Sequence, residues 1–255
     1  MFLSDTHTHL YIPEMREQIG ELMHRAQSNR VQKLYLPNID SESVKDVFSL
    51  TELYPTQCFP MMGLHPCSVK ENYLEELNFI QQYIDHKNIV GIGEIGMDLY
   101  WDKTFIEEQK LAFRTQIQWA KDRKMPIVIH CREAFDEIYE ILKEVNDDLL
   151  RGIFHCFSGS EEQANKIIDL GFYLGIGGVL TYKNSGLAEA IKNIDLKHIV
   201  LETDSPYLSP VPHRGKPNES SYLMHIAERL SEVKSCSLVE VANITSENAV
   251  KIFGV

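Results

Sequence analysis

No segment of this chain approaches the run of about 18 apolar residues that spans a membrane. Its start, MFLSDTHTHL, has no charged leader followed by an apolar stretch. The expectation is a soluble, cytoplasmic protein with no membrane partner. Cysteine pairs are lacking too. The five cysteines, Cys58, Cys67, Cys131, Cys156 and Cys236, are odd in number, widely spaced and form no CxxC, so reduced thiols are expected rather than a disulfide framework or a zinc knuckle. Positive charge is scarce: 25 Lys and Arg stand against 37 Asp and Glu, a formal net charge of -12. That balance excludes a general electrostatic affinity for polyanions, so a nucleic-acid partner would need local help from metal ions or a basic loop. There is no linker rich in Gly, Ser or Pro and no low-complexity tract, and the Pro-rich stretch SPYLSPVPHRGKP reads as one long loop. A single domain over residues 1–255 is expected, with no obligate protein partner evident.

What the chain does have is rhythm. Eight short β-branched or apolar runs recur along it: FLSDTHTH, KLYLPNI, CFPMMGLH, IVGIGEIG, PIVIHC, GIFHCF, GFYLGIGG and IVLETD. Helical spacing and helical punctuation fill the intervals. From Ile106 to Lys124, the residues Leu111, Phe113, Ile117 and Ala120 are expected near one face, with Pro126 as a stop. Ser160 and Gln163 read as a capping box opening a helix toward Gly171. Ser237 and Glu240 read likewise before a closing helix with Val241, Ala242, Ala249, Ile252 and Phe253 available for packing. Strand then helix, repeated eight times, is the pattern of a parallel α/β sheet, and eight such units can close into a (β/α)8 TIM barrel. An open doubly wound sheet shares the pattern.

Barrel enzymes build their sites where the strands end. Here His7 and His9 end the first run, His65 the third, Glu94 the fourth, His130 the fifth, His155 the sixth, and Glu202 and Asp204 the eighth. Alternation along a strand would place His7 and His9 on one face with Asp5. Buried histidines and carboxylates are costly unless paired or bound to metal, so their common position points to a metal site. Mixed His and carboxylate donors suit zinc, manganese, iron or nickel, and no cysteine lies at a ligand-like position. The donors outnumber what one four-coordinate ion needs. Two ions sharing a carboxylate account for them, and that arrangement suits hydrolysis.

DTHTHL, GLHP, GEIGMD, IHCRE, FHCFSG, LETDSPYL and PHRGKPNE, in this order, resemble the TatD family of metal-dependent deoxyribonucleases, amidohydrolase-like TIM barrels, from Asp5 to Phe253. The resemblance implies a two-metal site for Mg, Mn or Zn. In it His7, His9 and Asp204 hold one ion, His130 and His155 the other, and Glu94 bridges them. It also implies His65 at the mouth near the substrate, and Glu202 either supporting the ligands or moving protons. Met97, Leu99 and Ser220 depart from the family pattern without touching a proposed ligand.

The expected reaction is phosphodiester hydrolysis, exonucleolytic, on DNA that is single-stranded or presented at an end, with Asp204 orienting the water and taking its proton. In the basic loop, His213, Arg214 and Lys216 are expected to fork onto a flanking phosphate, with Arg132 as a weaker candidate. The main rival is a hydrolase of a small phosphoester, lactone or amide on the same barrel. A metal-binding protein without catalysis is the other.

Overall fold

A computed structural model describes residues 1–255. Its strands are β1 (Leu3–Asp5), β2 (Val31–Leu36), β3 (Cys58–Met62), β4 (Gly91–Asp98), β5 (Ile127–Arg132), β6 (Gly152–Phe154), β7 (Tyr173–Ile176) and β8 (Ile199–Leu201). They form one sheet in sequence order, each parallel to the next. Past the ends of β1 and β8 the chain continues the ladder across the seam. Thr6 N–H donates to Leu201 C=O at 3.0 Å, Asp204 N–H to His7 C=O at 2.9 Å and His9 N–H to Ser205 C=O at 2.8 Å. With helices between the strands, this is the expected TIM barrel.

Two apolar layers explain why the histidines point where they do. The larger one lies between the strands and the surrounding helices. The smaller one joins Tyr35, Met61, Val128, Ile153 and Val200, from five strands, to Ala249, Ile252 and Phe253 of the C-terminal helix Leu238–Phe253. Side chains from strands that are not neighbours touch only across a barrel interior, so these residues face inward. Side chains alternate along a strand, so His130, His155 and Glu202, each two residues beyond an inward residue, face inward as well. The Tyr35 ring stacks on Phe253 at 4.2 Å and the helix closes the far end. The polar end of the barrel is thus left to the site.

Local departures serve the same end. The β4–β5 ladder shifts register between Ile92 and Ile95, a bulge beside Glu94. Gly96, at φ 134°, lets β4 run against β5, because a Cβ there would stand 2.1 Å from the carbonyl oxygen of His130. The helix Ile106–Arg123 ends at Lys124 as expected and buries Phe113, Ile117 and Ala120. Leu111, expected on that face, is exposed: two residues before Phe113 is about 200° around a helix. The Ser160–Gln163 capping box forms in full, whereas at Ser237 only the serine's half, accepting from Glu240 N–H, is present. No helix is long and apolar enough to cross a membrane.

Candidate metal centre

β1 stops at Asp5, and the strand-like alternation expected through His9 does not carry the Asp5 carboxylate to the histidines. Fully buried, Asp5 accepts from Thr203 N–H (2.8 Å), Thr203 Oγ (2.6 Å) and Ser220 Oγ (2.6 Å). Burial pushes its carboxyl up to about 7 against those hydrogen bonds. It ties the start of the barrel to the segment after β8, and so aligns His7 and His9 with Asp204. Ser220 has this bond as its physical role.

Glu94 is the hub, and its two oxygens face different partners. Oε2 lies 3.0 Å from His7 Nε2 and 3.5 Å from His9 Nε2. Oε1 lies 2.7 Å from His130 Nδ1, 3.1 Å from His155 Nε2 and 3.2 Å from His65 Nε2. Asp204 Oδ1 stands 3.7 Å from Nε2 of both His7 and His9. Three sets of three donors have their ligand atoms within 4.8 Å of one another: His7, His9 and Glu94; His65, Glu94 and His130; and His7, His155 and Asp204.

The far nitrogens of these rings reveal what the near ones carry. A neutral imidazole has one N–H and one bare nitrogen. Tyr11 donates its hydroxyl to the Pro37 carbonyl at 2.6 Å, so its oxygen receives the Nδ1–H of His9 at 2.8 Å. His130 donates Nε2–H to Asp98 Oδ2 at 2.9 Å, and His155 donates Nδ1–H to Glu202 Oε1 at 3.2 Å. In the neutral rings this leaves His9 Nε2, His130 Nδ1 and His155 Nε2 bare, aimed at the Glu94 carboxylate. Acceptors facing acceptors at 2.7–3.5 Å repel unless a proton or a metal cation lies among them. The residues therefore fit a divalent cation, with Asp98, Glu202 and Tyr11 holding the ligand rings in place as outer partners commonly do.

Electrostatics show the same demand for positive charge around Glu94. Burial opposes charge on Glu94, yet His155, His65 and His7 hold its carboxylate well below the usual range. Burial likewise opposes charge on His155, but Glu94 and Glu202 hold it well above its ordinary value. Burial and the neighbouring His155, stacked at 3.7 Å, push His7 well below its own. Burial raises Asp204 to about 6, partly offset by His155 and His9.

Residues 4–254 match the family model described as TatD related DNase. The chain belongs to this family. It is 37% identical over 252 residues to the uncharacterized metal-dependent hydrolase YabD of Bacillus subtilis, with 98% of each chain covered. It is 34% identical over 265 residues to the uncharacterized metal-dependent hydrolase BU355 of Buchnera aphidicola, with 100% of each covered. Among solved structures it superposes on the TatD homolog YjjV of Escherichia coli with a TM-score of 0.94 at 28% identity, over 99% of this chain and 98% of that one. Family and fold together make this a TatD-type metal-dependent hydrolase on a TIM barrel.

The TatD-type centre opens into a cavity of about 590 Å³ that includes His9, His65, Glu94, Asp98, His130, Arg132 and Asp204 in its wall. His65 is part of this cavity wall. Its Nδ1 accepts from Cys67 N–H at 3.0 Å, so its Nε2 carries the hydrogen and acts as a donor rather than a bare ligand nitrogen. Glu202 is fully buried behind His155 and absent from the cavity wall; of the two roles expected for it, the geometry favours supporting the ligand.

The basic loop comes out differently from its expectation. His213 lies flat on Tyr222 at 3.7 Å, Arg214 sits 3.8 Å over the Tyr182 ring, and Lys216 borders a separate recess with Glu14 and Arg25. None of the three lines the cavity, because an irregular loop sends near neighbours in diverging directions. Arg132 does line it. The residues that sequence reasoning missed are Tyr11 and Asp98. Asp98 had a signal, since it follows Glu94 by four residues on the same strand and so shares its face.

Proposed function

We propose that this TatD-family chain is a deoxyribonuclease that hydrolyses phosphodiester bonds at a centre of two divalent ions. The observation that carries the reading is the division of Glu94: one oxygen toward His7 and His9, the other toward His130 and His155. His7, His9 and Asp204 would hold one ion and His130 and His155 the other, with Glu94 shared by both sets. Bound divalent ions would supply Lewis-acid polarisation of the phosphoryl oxygens and a lowered pKa for water. The chain supplies the rest. Asp204, the most accessible of the carboxylates facing this centre, orients the attacking water and receives its proton. His65 presents an Nε2–H donor to the phosphate, and Arg132 offers a guanidinium fork at the cavity edge. Asp98 and Glu202 keep the ligand rings from turning.

A smaller ester remains a second reading, favoured by one observation: Arg132 is the only Lys or Arg in the cavity wall. Degradation of end-labelled single-stranded DNA, with Mg²⁺, Mn²⁺ or Zn²⁺ supplied separately beside an Asp204→Asn control, decides between them. Asp204 holds φ 56°, a conformation Asn adopts readily, so the variant keeps the backbone. We expect cleavage by the wild type, a turnover about 10²- to 10⁴-fold lower in the variant, and a KM changed far less. No cleavage by metal-loaded wild type would transfer the reading to a small phosphoester, lactone or amide.

A further inference from the structure

The loop after β4 exposes two large aromatic rings beside the metal donors. Trp101 is 67% exposed and Tyr100 48% exposed, with ring centroids 4.8 Å apart in an edge-on arrangement. The Arg132 guanidinium carbon lies 4.1 Å from the Tyr100 ring centroid and 5.1 Å from that of Trp101. Trp101 and Arg132 share the cavity wall with His65, Glu94 and Asp204. A tryptophan that large and that exposed at the edge of a reaction centre is binding surface without a partner.

Its position is held, not loose. The backbone N–H groups of Tyr100 and Trp101 both donate to Asp98 Oδ1, at 3.0 and 3.1 Å, while the other oxygen of Asp98 receives His130 Nε2–H at 2.9 Å. One carboxylate therefore sets the aromatic turn and a metal-facing histidine relative to each other. The cavity wall holds a single cationic side chain, and the formal net charge is -12, so phosphate neutralisation by the chain itself is meagre. Stacking is the other general source of affinity for nucleic acid, and a base has a free face only when unpaired.

We propose that Trp101, backed by Tyr100 and Arg132, is a stacking platform for one unpaired nucleobase next to the phosphate at the metal centre, and sets how tightly this chain holds nucleic acid. The assignment rests on the nuclease reading. Every base has a π-face, so the platform is tolerant of sequence. Arg132 keeps its planar fork free for a phosphate while its face lies on Tyr100.

The test compares the metal-loaded wild type with Trp101→Ala and Trp101→Phe on oligo-dT and on a strand of the same length made of abasic sites. Trp101→Ala is expected to raise the KM for oligo-dT about 5- to 100-fold, to move kcat little, and to leave the KM for the abasic strand unchanged. Trp101→Phe is expected to recover most of the loss. Binding is read separately in Asp204→Asn, whose only other tryptophan, Trp119, is buried. Oligo-dT should quench the tryptophan emission and the abasic strand should not. An unchanged KM for oligo-dT in Trp101→Ala, or an equal rise for both strands, overturns the platform while leaving the nuclease intact. A wild type that cleaves neither strand overturns the nuclease reading and the platform with it.

Discussion

Asp98 holds His130 by the nitrogen that faces away from Glu94: Oδ2 and Nε2 are 2.9 Å apart, and the ring's other nitrogen is 2.7 Å from Glu94 Oε1. Burial opposes charge on Asp98, but the hydrogen bond from His130 and those from Trp101 and Tyr100 N–H hold its carboxyl below the ordinary range. An anionic Asp98 fixes the hydrogen on Nε2 and leaves Nδ1 bare. Asp98→Ala removes that fixation. The expected outcome is a metal affinity or an activity lower by about 10- to 100-fold, measured by competition with a chromophoric chelator. An unchanged affinity would mean that the pair is incidental.

Metal binding should also be visible as stability. The donors around Glu94 converge only in the native fold and are dispersed in the unfolded chain, so a cation binds the folded state preferentially. At an ion concentration about 100 times the dissociation constant the gain is about 2.7 kcal/mol. For a chain of this size that is a rise in Tm of roughly 5–10 °C over the chelator-treated protein, followed by calorimetry. Equal Tm values with and without metal would count against the centre.

The ion pair between Arg25 and Glu219 provides a pH-dependent term away from the site. Arg25 Nε lies 2.8 Å from Oε1 and Nη2 lies 2.7 Å from Oε2, and Ser221 donates to Oε1 as well. Burial opposes the charge on Glu219, yet Arg25 and Ser221 lower its pKa in the folded state. A depressed folded pKa gives stability that is present above the unfolded value, about 4.3, and is lost as pH falls through the folded one. Glu219→Gln should therefore cost about 1 kcal/mol at pH 7, discounted because Arg25 is 40% exposed, and almost nothing near pH 3. Urea midpoints at the two pH values check this, and a penalty that persisted at low pH would contradict it.

The barrel and the convergence of the histidines and Glu94 at one end of it were legible because both follow from periodicity. Alternating apolar runs announce strands, and His130 and His155 lie two residues beyond Val128 and Ile153, so the same alternation turns them inward. What was not legible depends on contacts between distant segments. Asp5 and Thr203 are 198 residues apart, and nothing local distinguishes a carboxylate that caps the barrel seam from one that binds metal. The directions taken by His213, Arg214 and Lys216 were not legible for the opposite reason. Closeness in sequence suggested a cluster, but without regular backbone geometry closeness does not define a common face. Leu111 shows the same limit inside a helix, where one position among several apolar ones falls on the wet side.

The central claim is that Glu94 joins two metal-binding sets. The most direct measurement is the number of ions per chain, by equilibrium dialysis against Mn²⁺ or Zn²⁺ and elemental analysis, for the wild type and for Glu94→Gln, which keeps the volume and removes the charge. The account predicts two ions per chain in the wild type and no more than one held tightly in the variant. One ion in the wild type, or two in both proteins with unchanged affinity, would contradict it.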